Sequence, residues 1–243
     1  MNFPQIRGKL LLTALLVAAV TFVLYGGALR NDFIGWDDDF YILANPYISP
    51  LSAATIWGMA SHFYFQSWTP LTLLVHAIDF RIWGLDPRGH HLTNMIFHAL
   101  NSVWILILSV ALLKAYRRPP EEGSGGTALG ETALLLGGAA SALFFGFHPL
   151  RVEPVACASS LKDLLNTFLA LPSIILYLVY AGRRGTPGSW RPLAGSLILY
   201  GLSLLAKGSV MTLAGLLLVI DAMAGGVGGG WARWRKGGRS GTP

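Results

Sequence analysis

Charge is what this 243-residue chain has least of: only 12% of its residues are Asp, Glu, Lys or Arg, about half the share a water-soluble domain carries. With 53% hydrophobic residues, the chain has too little polar surface to cover a core in water. That excludes an ordinary soluble domain and makes lipid the solvent. The single cysteine, Cys157, excludes an intrachain disulfide and is expected in a packed position near a helix end. No internal repeat of solenoid period is visible. Acids are scarcer than bases, and the net charge is +6. A basic balance can mark a nucleic-acid binder, but Lys- and Arg-rich cytoplasmic loops of a membrane protein account for it, so no nucleic-acid partner is expected.

What is present is a series of long uncharged runs. Residues 10–29 follow Arg7 and Lys9. Gly26-Gly27-Ala28 resembles a cleavage site, but the run exceeds the roughly 7–15 apolar residues of a signal peptide, so it is read as an uncleaved first span. Residues 89–113, 132–150 and 164–182 form spans two to four. Two shorter stretches, 192–206 and 208–224, turn at Lys207-Gly208 and form a fifth and sixth span, or else a re-entrant hairpin. Between the first two spans lies a long loop, 30–89, rich in Asp, Trp, Tyr and Pro. Its apolar stretch 69–78 is too short to cross and reads as an interfacial or re-entrant helix. The expected fold is therefore an all-α integral membrane protein of about six helices. Its membrane domain covers 1–224, and a Gly/Arg-rich disordered cytoplasmic tail covers 225–243.

Charge sets the orientation. With the N-terminus in the cytoplasm, twelve of the eighteen basic residues fall inside. These are Arg7, Lys9, Lys114, Arg117, Arg118, Arg183, Arg184, Arg191, Arg233, Arg235, Lys236 and Arg239. Both termini are then cytoplasmic. The same choice gathers Asp32, Asp37–Asp39, Asp79, Asp86, Glu153 and Asp163 on the external face, with His62, His76, His90, His91 and His148.

Four constellations on that face carry chemistry. The run Trp36-Asp37-Asp38-Asp39 crowds three carboxylates, which raises some of their pKa values. It suits a general base, a divalent cation, or only a solvated acidic turn. His148-Pro149-Leu150-Arg151-Val152-Glu153-Pro154 breaks the helix after the third span. There Arg151 and Glu153 pair, or His148 and Arg151 face an anion. Lys162, in Ser160-Leu161-Lys162-Asp163 at the start of the fourth span, is unfavourable beside a helix N-terminus unless a phosphate sits there. Lys207 reaches the same face and binds phosphate or snorkels to headgroups. Finally, His91, Asn94, His98 and Asn101 line one face of the second span. Hydrogen bonding between helices explains them better than a metal on His91 and His98, which stand two turns apart.

These segments occur in a recognisable order. WDDD (36–39), GHHLTN (89–94), HPL-x-VE-x-VA (148–156), SLKDLL (160–165) and the stretch 204–221 resemble the membrane part of the tetratricopeptide-repeat O-mannosyltransferase-like proteins and their bacterial relatives, of the GT-C superfamily. The resemblance is colinear over residues 10–221. It implies a GT-C-like glycosyltransferase of the bacterial inner membrane. The implied reaction is inverting transfer of a hexose, such as mannose, from a polyprenyl-phosphate donor to a hydroxyl of a protein or glycan acceptor, outside the membrane. It also implies roles. Asp37 or Asp38 is the catalytic base, and Asp39 supports it or orients a metal. Arg151, Lys162, Lys207 and His148 bind the donor phosphate, and His90, His91, Asn94 and Glu153 supply pocket polarity. No cofactor is certain; a divalent cation could take part. The chain departs from the pattern that bacterial members of the resembled family often show: it has Ser160-Leu161 where that pattern has Glu-Arg, and Gly208 where it has Pro. The alternative is accordingly a truncated, inactive remnant or a partner subunit of such an enzyme. A transporter ranks below both, because no acid or base stands at mid-span.

Overall fold

A computed structural model describes residues 7–65, 67–116 and 130–226, except the side chains of 116 and 220–226. The described chain is helical, with one isolated two-residue bridge, Tyr64 to Ser67. The helices are α1 (Arg7–Leu24), α2 (Ala53–Ser61), α3 (Pro70–Trp83), α4 (Pro87–Tyr116), α5 (Glu131–Phe147), α6 (Val152–Ala156), α7 (Leu161–Arg183), α8 (Trp190–Ala206) and α9 (Thr212–Gly226). By length and composition, Arg7–Arg30, Pro87–Ala115 and Ala158–Arg183 are long and apolar enough to cross a membrane. A fourth crossing forms if α5 and the segment Pro149–Ala156, bent by 60°, count as one. The last pair is shorter. Arg191 opens α8, and a 3-10 turn over Gly208–Met211 takes the first residues of the sixth apolar stretch.

α4 is the central element, packed against α1, α3, α5, α6 and α7. At about 1.5 Å per residue its 30 residues rise roughly 45 Å, more than the ~30 Å hydrocarbon core. One of its ends therefore stands in the interface. Its middle packs closely: Leu106 and Val110 are fully buried with Val17 of α1 and Leu135 and Ala142 of α5. Gly138 is required there, because a Cβ would lie 2.5 Å from Val110. Away from α4, α1 exposes Leu11, Leu12, Leu15, Leu16 and Val23. Such a face costs free energy in water and none in lipid.

The polar side chains of the spans face other helices. His98 Nε2 lies 3.0 Å from the Gly146 carbonyl, and Asn101 Nδ2 donates to Leu164 O at 3.0 Å. Asn94 Nδ2 donates to Cys157 O at 2.8 Å, tying α4 to the turn between α6 and α7. The α7–α8 hairpin carries two polar rungs. Ser173 and Ser196 each donate to the other's carbonyl at 2.9 Å. Asn166 Nδ2 donates to Ser203 O at 3.2 Å, and Ser203 Oγ donates back to Asn166 O at 3.1 Å. These small polar residues replace the hydrophobic drive that lipid removes, and they fix the register of α8 along α7.

The first loop is folded. Ser52 caps α2 through a reciprocal capping box with Thr55. Pro70 opens α3, whose 14 residues rise about 21 Å, too little to span. Tyr41, Ile42, Ile48, Met59, Leu73 and Ala77 of the loop form a core that Ala158, from the turn before α7, completes. Trp36, Trp57, Phe63 and Trp83 remain exposed, as in the aromatic belt of a membrane interface. The tail from residue 227, and Arg117, Arg118, Arg233, Arg235, Lys236 and Arg239, lie outside the described residues.

Candidate functional site

The three aspartates of the acidic run meet three environments. Asp37 is half-buried, and its Oδ2 accepts from Lys162 Nζ at 2.9 Å. Asp38 is fully buried. Its Oδ1 accepts the Ser159 backbone N–H at 2.8 Å and the Cys157 thiol at 3.5 Å, while Oδ2 accepts the Ile34 N–H at 3.0 Å. Asp39 is exposed, with no ion pair among the described residues. Burial pushes the Asp38 carboxyl up, but the hydrogen bonds from Ser159, Ile34 and Cys157 together outweigh it and hold the group below its ordinary value. Crowding predicts a raised carboxyl in this run; at Asp38 the donors override it. Within the run, Asp37 faces an ammonium and both oxygens of Asp38 accept from donors.

Lys162 is held from two sides. Its Nζ also lies 4.5 Å from the centre of the Tyr41 ring, a cation–π contact the motif reading missed. Tyr41 stands in a single π-helical turn, Asp39–Leu43, that starts directly after Asp38. One residue along α7, Asp163 pairs with Lys207 at the end of α8. The rungs of the α7–α8 hairpin place Lys207 there, and Asn166 Nδ2 donates to the Lys207 carbonyl at 2.9 Å. Asp37, Lys162, Asp163 and Lys207 thus join the first loop to α7 and α8 through two adjacent ion pairs. Lys162 is 18% exposed, Asp37 29%, Lys207 33% and Asp163 40%, so none of the four is sealed inside the fold.

The other expected phosphate ligands stand apart. His148 ends α5, its Nδ1 accepting the Leu150 N–H at 3.3 Å. The Arg151 guanidinium lies 4.5 Å from the centre of the Phe145 ring. Glu153 is exposed, and no Arg151–Glu153 pair forms among the described residues. No hydrogen bond or ion pair among the described residues links His148, Arg151 or Glu153 to the Asp37–Lys162 group. Of the expected pocket residues, Asn94 is spent on backbone carbonyls. His91 is fully buried, with the Asp32 backbone as its nearest hydrogen-bonding group. His90 Nε2 lies 3.0 Å from the Gly84 carbonyl in the α3–α4 turn.

That turn holds a group the motif reading did not single out. His76 and Asp79 of α3 come together with His90, all three buried. Burial, with the His90 ring second, holds His76 down to about 3, so it is neutral. Burial also pushes the Asp79 carboxyl up to about 6, against a hydrogen bond from Thr93. The available signal was a His and an Asp three residues apart on one apolar helix, followed by a second His after a Gly-containing turn.

Comparison with known proteins places the chain. It is 27% identical over 216 residues to "Protein O-mannosyl-transferase TMTC3" of Homo sapiens, covering 85% of this chain and 21% of that protein. It is 29% identical over 227 residues to "Protein O-mannosyl-transferase Tmtc2" of Drosophila melanogaster, covering 88% of this chain and 22% of that protein. With human TMTC1 it shares 26% over 223 residues, 86% of this chain and 23% of that protein. The chain thus spans about a fifth of the length of the curated relatives it matches. No family model and no solved structure matches it. Over some 85% of its length, this membrane chain is similar to the proteins named protein O-mannosyl-transferase, the resemblance that its motifs carry.

Proposed function

We propose that the chain is the membrane part of a glycosyltransferase that moves a sugar from a polyprenyl-phosphate donor to a hydroxyl acceptor, with inversion, on the external face. The observation that carries the reading is the Lys162 ammonium held between the Asp37 carboxylate and the Tyr41 ring, next to the Lys207–Asp163 pair. A phosphate can take both lysines from their carboxylates, because charge-assisted hydrogen bonds to phosphate are among the strong ones. Lipid-borne phosphate sits at the headgroup plane, where the exposed aromatics of the first loop also belong. When Lys162 turns to the donor, Asp37 is left unpaired beside it. Asp37 then takes the proton of the acceptor hydroxyl. The hydroxyl oxygen forms the new bond to the anomeric carbon as the bond from that carbon to the phosphate oxygen breaks. Polyprenyl phosphate leaves with the electron pair, and the proton stays on Asp37. Asp38 holds the base in place by tying the loop to the start of α7.

In this reading α8 and α9 complete six crossings. Both termini face the cytoplasm of a bacterial cell, the catalytic face is periplasmic, and the acceptor is a protein or glycan. A second reading, an inactive remnant or partner subunit, is favoured by Ser160 and Leu161, both buried and both departing from the Glu-Arg that the resembled bacterial pattern often has. Sugar transfer in reconstituted membranes from a polyprenyl-phosphate mannose donor separates the two. Transfer by the parent and its loss in Asp37→Asn support the enzyme. Transfer at full rate in Asp37→Asn removes Asp37 as base, and an inert parent beside an active longer relative favours the remnant.

A further inference from the structure

The α3–α4 turn buries three ligand-type side chains that converge. His76 is 1% exposed, Asp79 5% and His90 1%. One ligand atom from each lies within 4.8 Å of the others. His76 and Asp79 are three residues apart on α3 and share a face. His90 joins them from the first turns of α4 because Gly84, at φ +61°, turns the chain back. Trp83 packs on Gly89, where a Cβ would stand 2.1 Å from the indole, so the turn is held closed.

The hydrogen bonds around the cluster are those of metal ligands. His90 Nε2 faces the Gly84 carbonyl at 3.0 Å, which makes Nε2 the protonated nitrogen and leaves the lone pair on Nδ1. Nδ1 has no partner. A backbone carbonyl on the far nitrogen is the usual device for orienting a metal-bound imidazole. Asp79 Oδ1 accepts the Thr93 hydroxyl at 2.8 Å, the matching support for a carboxylate ligand. His76 has no partner at either nitrogen. A buried imidazole without any hydrogen bond is destabilising unless something else satisfies it. A single cation would engage one nitrogen of each imidazole and the buried carboxylate, leaving the second His76 nitrogen without a partner.

We propose that His76, Asp79 and His90 bind one divalent transition metal of the zinc type, which pins the interfacial helix α3 to the start of α4. Two imidazoles and one carboxylate are a borderline-soft donor set; magnesium and calcium prefer all-oxygen sites. The same set serves iron in oxygenases only where open positions admit substrate and oxygen. A cluster this buried has no such access, so the metal is structural, with a water in the fourth position of the tetrahedron. In a tetrahedron with bonds of about 2.0–2.1 Å the ligand atoms stand roughly 3.3 Å apart. The three groups, within 4.8 Å of one another, therefore close by up to about 1.5 Å on loading. Charged Zn²⁺ would hold Asp79 ionised and both imidazoles neutral.

The test uses the full chain in detergent, purified through a tag without histidine, and reads metal rather than activity. After equilibration with Zn²⁺ and gel filtration, elemental analysis is expected to find about one zinc per chain, and His76→Ala or His90→Ala less than about a tenth of that. His62→Ala, at an exposed histidine, is expected to keep it. Co²⁺ added to the parent is expected to give a visible d–d band that Zn²⁺ abolishes. Thr93→Val, close to isosteric and outside the ligand set, is expected to weaken Zn²⁺ binding about 10–100-fold, which keeps the proposal testable if the alanine variants do not fold. Substoichiometric zinc in the parent, no cobalt band, or equal zinc in His62→Ala and a folded His90→Ala overturns it, and the cluster is then satisfied by protons and water alone.

Discussion

The C-terminal end of α5 and the N-terminal end of α7 look alike in sequence and differ in structure. Each has a helix boundary, a basic residue and an acid two or fewer positions away: Arg151 with Glu153, and Lys162 with Asp163. Both basic residues are expected to face a phosphate. At the end of α5, Arg151 stacks on Phe145, Glu153 points to solvent, and His148 is used on the Leu150 backbone. At the start of α7, Lys162 and Asp163 each find a partner from another element, Asp37 from the first loop and Lys207 from α8. A basic residue at a helix end becomes an exchangeable site only when the fold delivers a counter-charge that an anion can displace.

The comparison breaks most sharply at Asp37. Asp37→Asn is expected to lower sugar transfer about 10²–10⁴-fold, while stability changes by no more than about 1 kcal/mol, since a half-exposed ion pair is worth little. Glu153→Gln, at the α5 end, is expected to leave transfer within twofold, roughly the precision of such an assay. Equal losses in the two variants would erase the difference between the ends.

Asp38 is expected to show the reverse pattern from its neighbour. Asp38→Asn leaves the Ile34 or Ser159 N–H facing an amide nitrogen in the buried junction, at a cost of about 3 kcal/mol or more. Thermal unfolding in detergent measures it. The sign of the pH dependence follows from the lowered carboxyl. The folded state holds the proton less tightly than the unfolded chain, so the stabilisation is complete above the unfolded value near 3.9. It is lost as pH falls through the folded value. Below pH of about 4 the parent is expected to lose this contribution while Asp38→Asn stays flat.

Lys162→Ala is expected to weaken photocrosslinking to a polyprenyl-phosphate probe about 10–100-fold, the equivalent of roughly 1.5–3 kcal/mol. Arg151→Ala is expected to change it by less than about threefold, because a guanidinium stacked on an aromatic ring gives up that contact to reach the donor. A larger loss in Arg151→Ala would move the phosphate to the α5 end.

The smallest effect is expected within the hairpin that sets Lys207 beside Asp163. Ser196→Ala removes one rung of the α7–α8 pair and is expected to cost about 0.6 kcal/mol. Its use is as a calibration: a much larger loss, or a loss of donor labelling comparable to that of Lys162→Ala, would make the hairpin register part of the site.

The sequence by itself determined that this chain lives in lipid, where its main helices run, and which relatives it resembles. The balance of 53% apolar to 12% charged residues, and uncharged runs near 20 residues, are local properties that need no knowledge of contacts. α1, α4, α5 and α7 lie where those runs predict, and α3 falls on the stretch judged too short to cross. The limit appeared wherever a residue's role depends on a distant partner. Asp37, Asp38 and Asp39 are adjacent and chemically identical, and only the folded loop makes one an ion pair, one a buried acceptor and one a solvated acid. His76, Asp79 and His90 are separated by a turn whose closure depends on Gly84 and on Trp83 packing on Gly89. Hydrophobicity is additive along a chain and can be read from it. Hydrogen bonds and charge pairs are directional and short-ranged, so only the tertiary structure decided which of these polar residues meet.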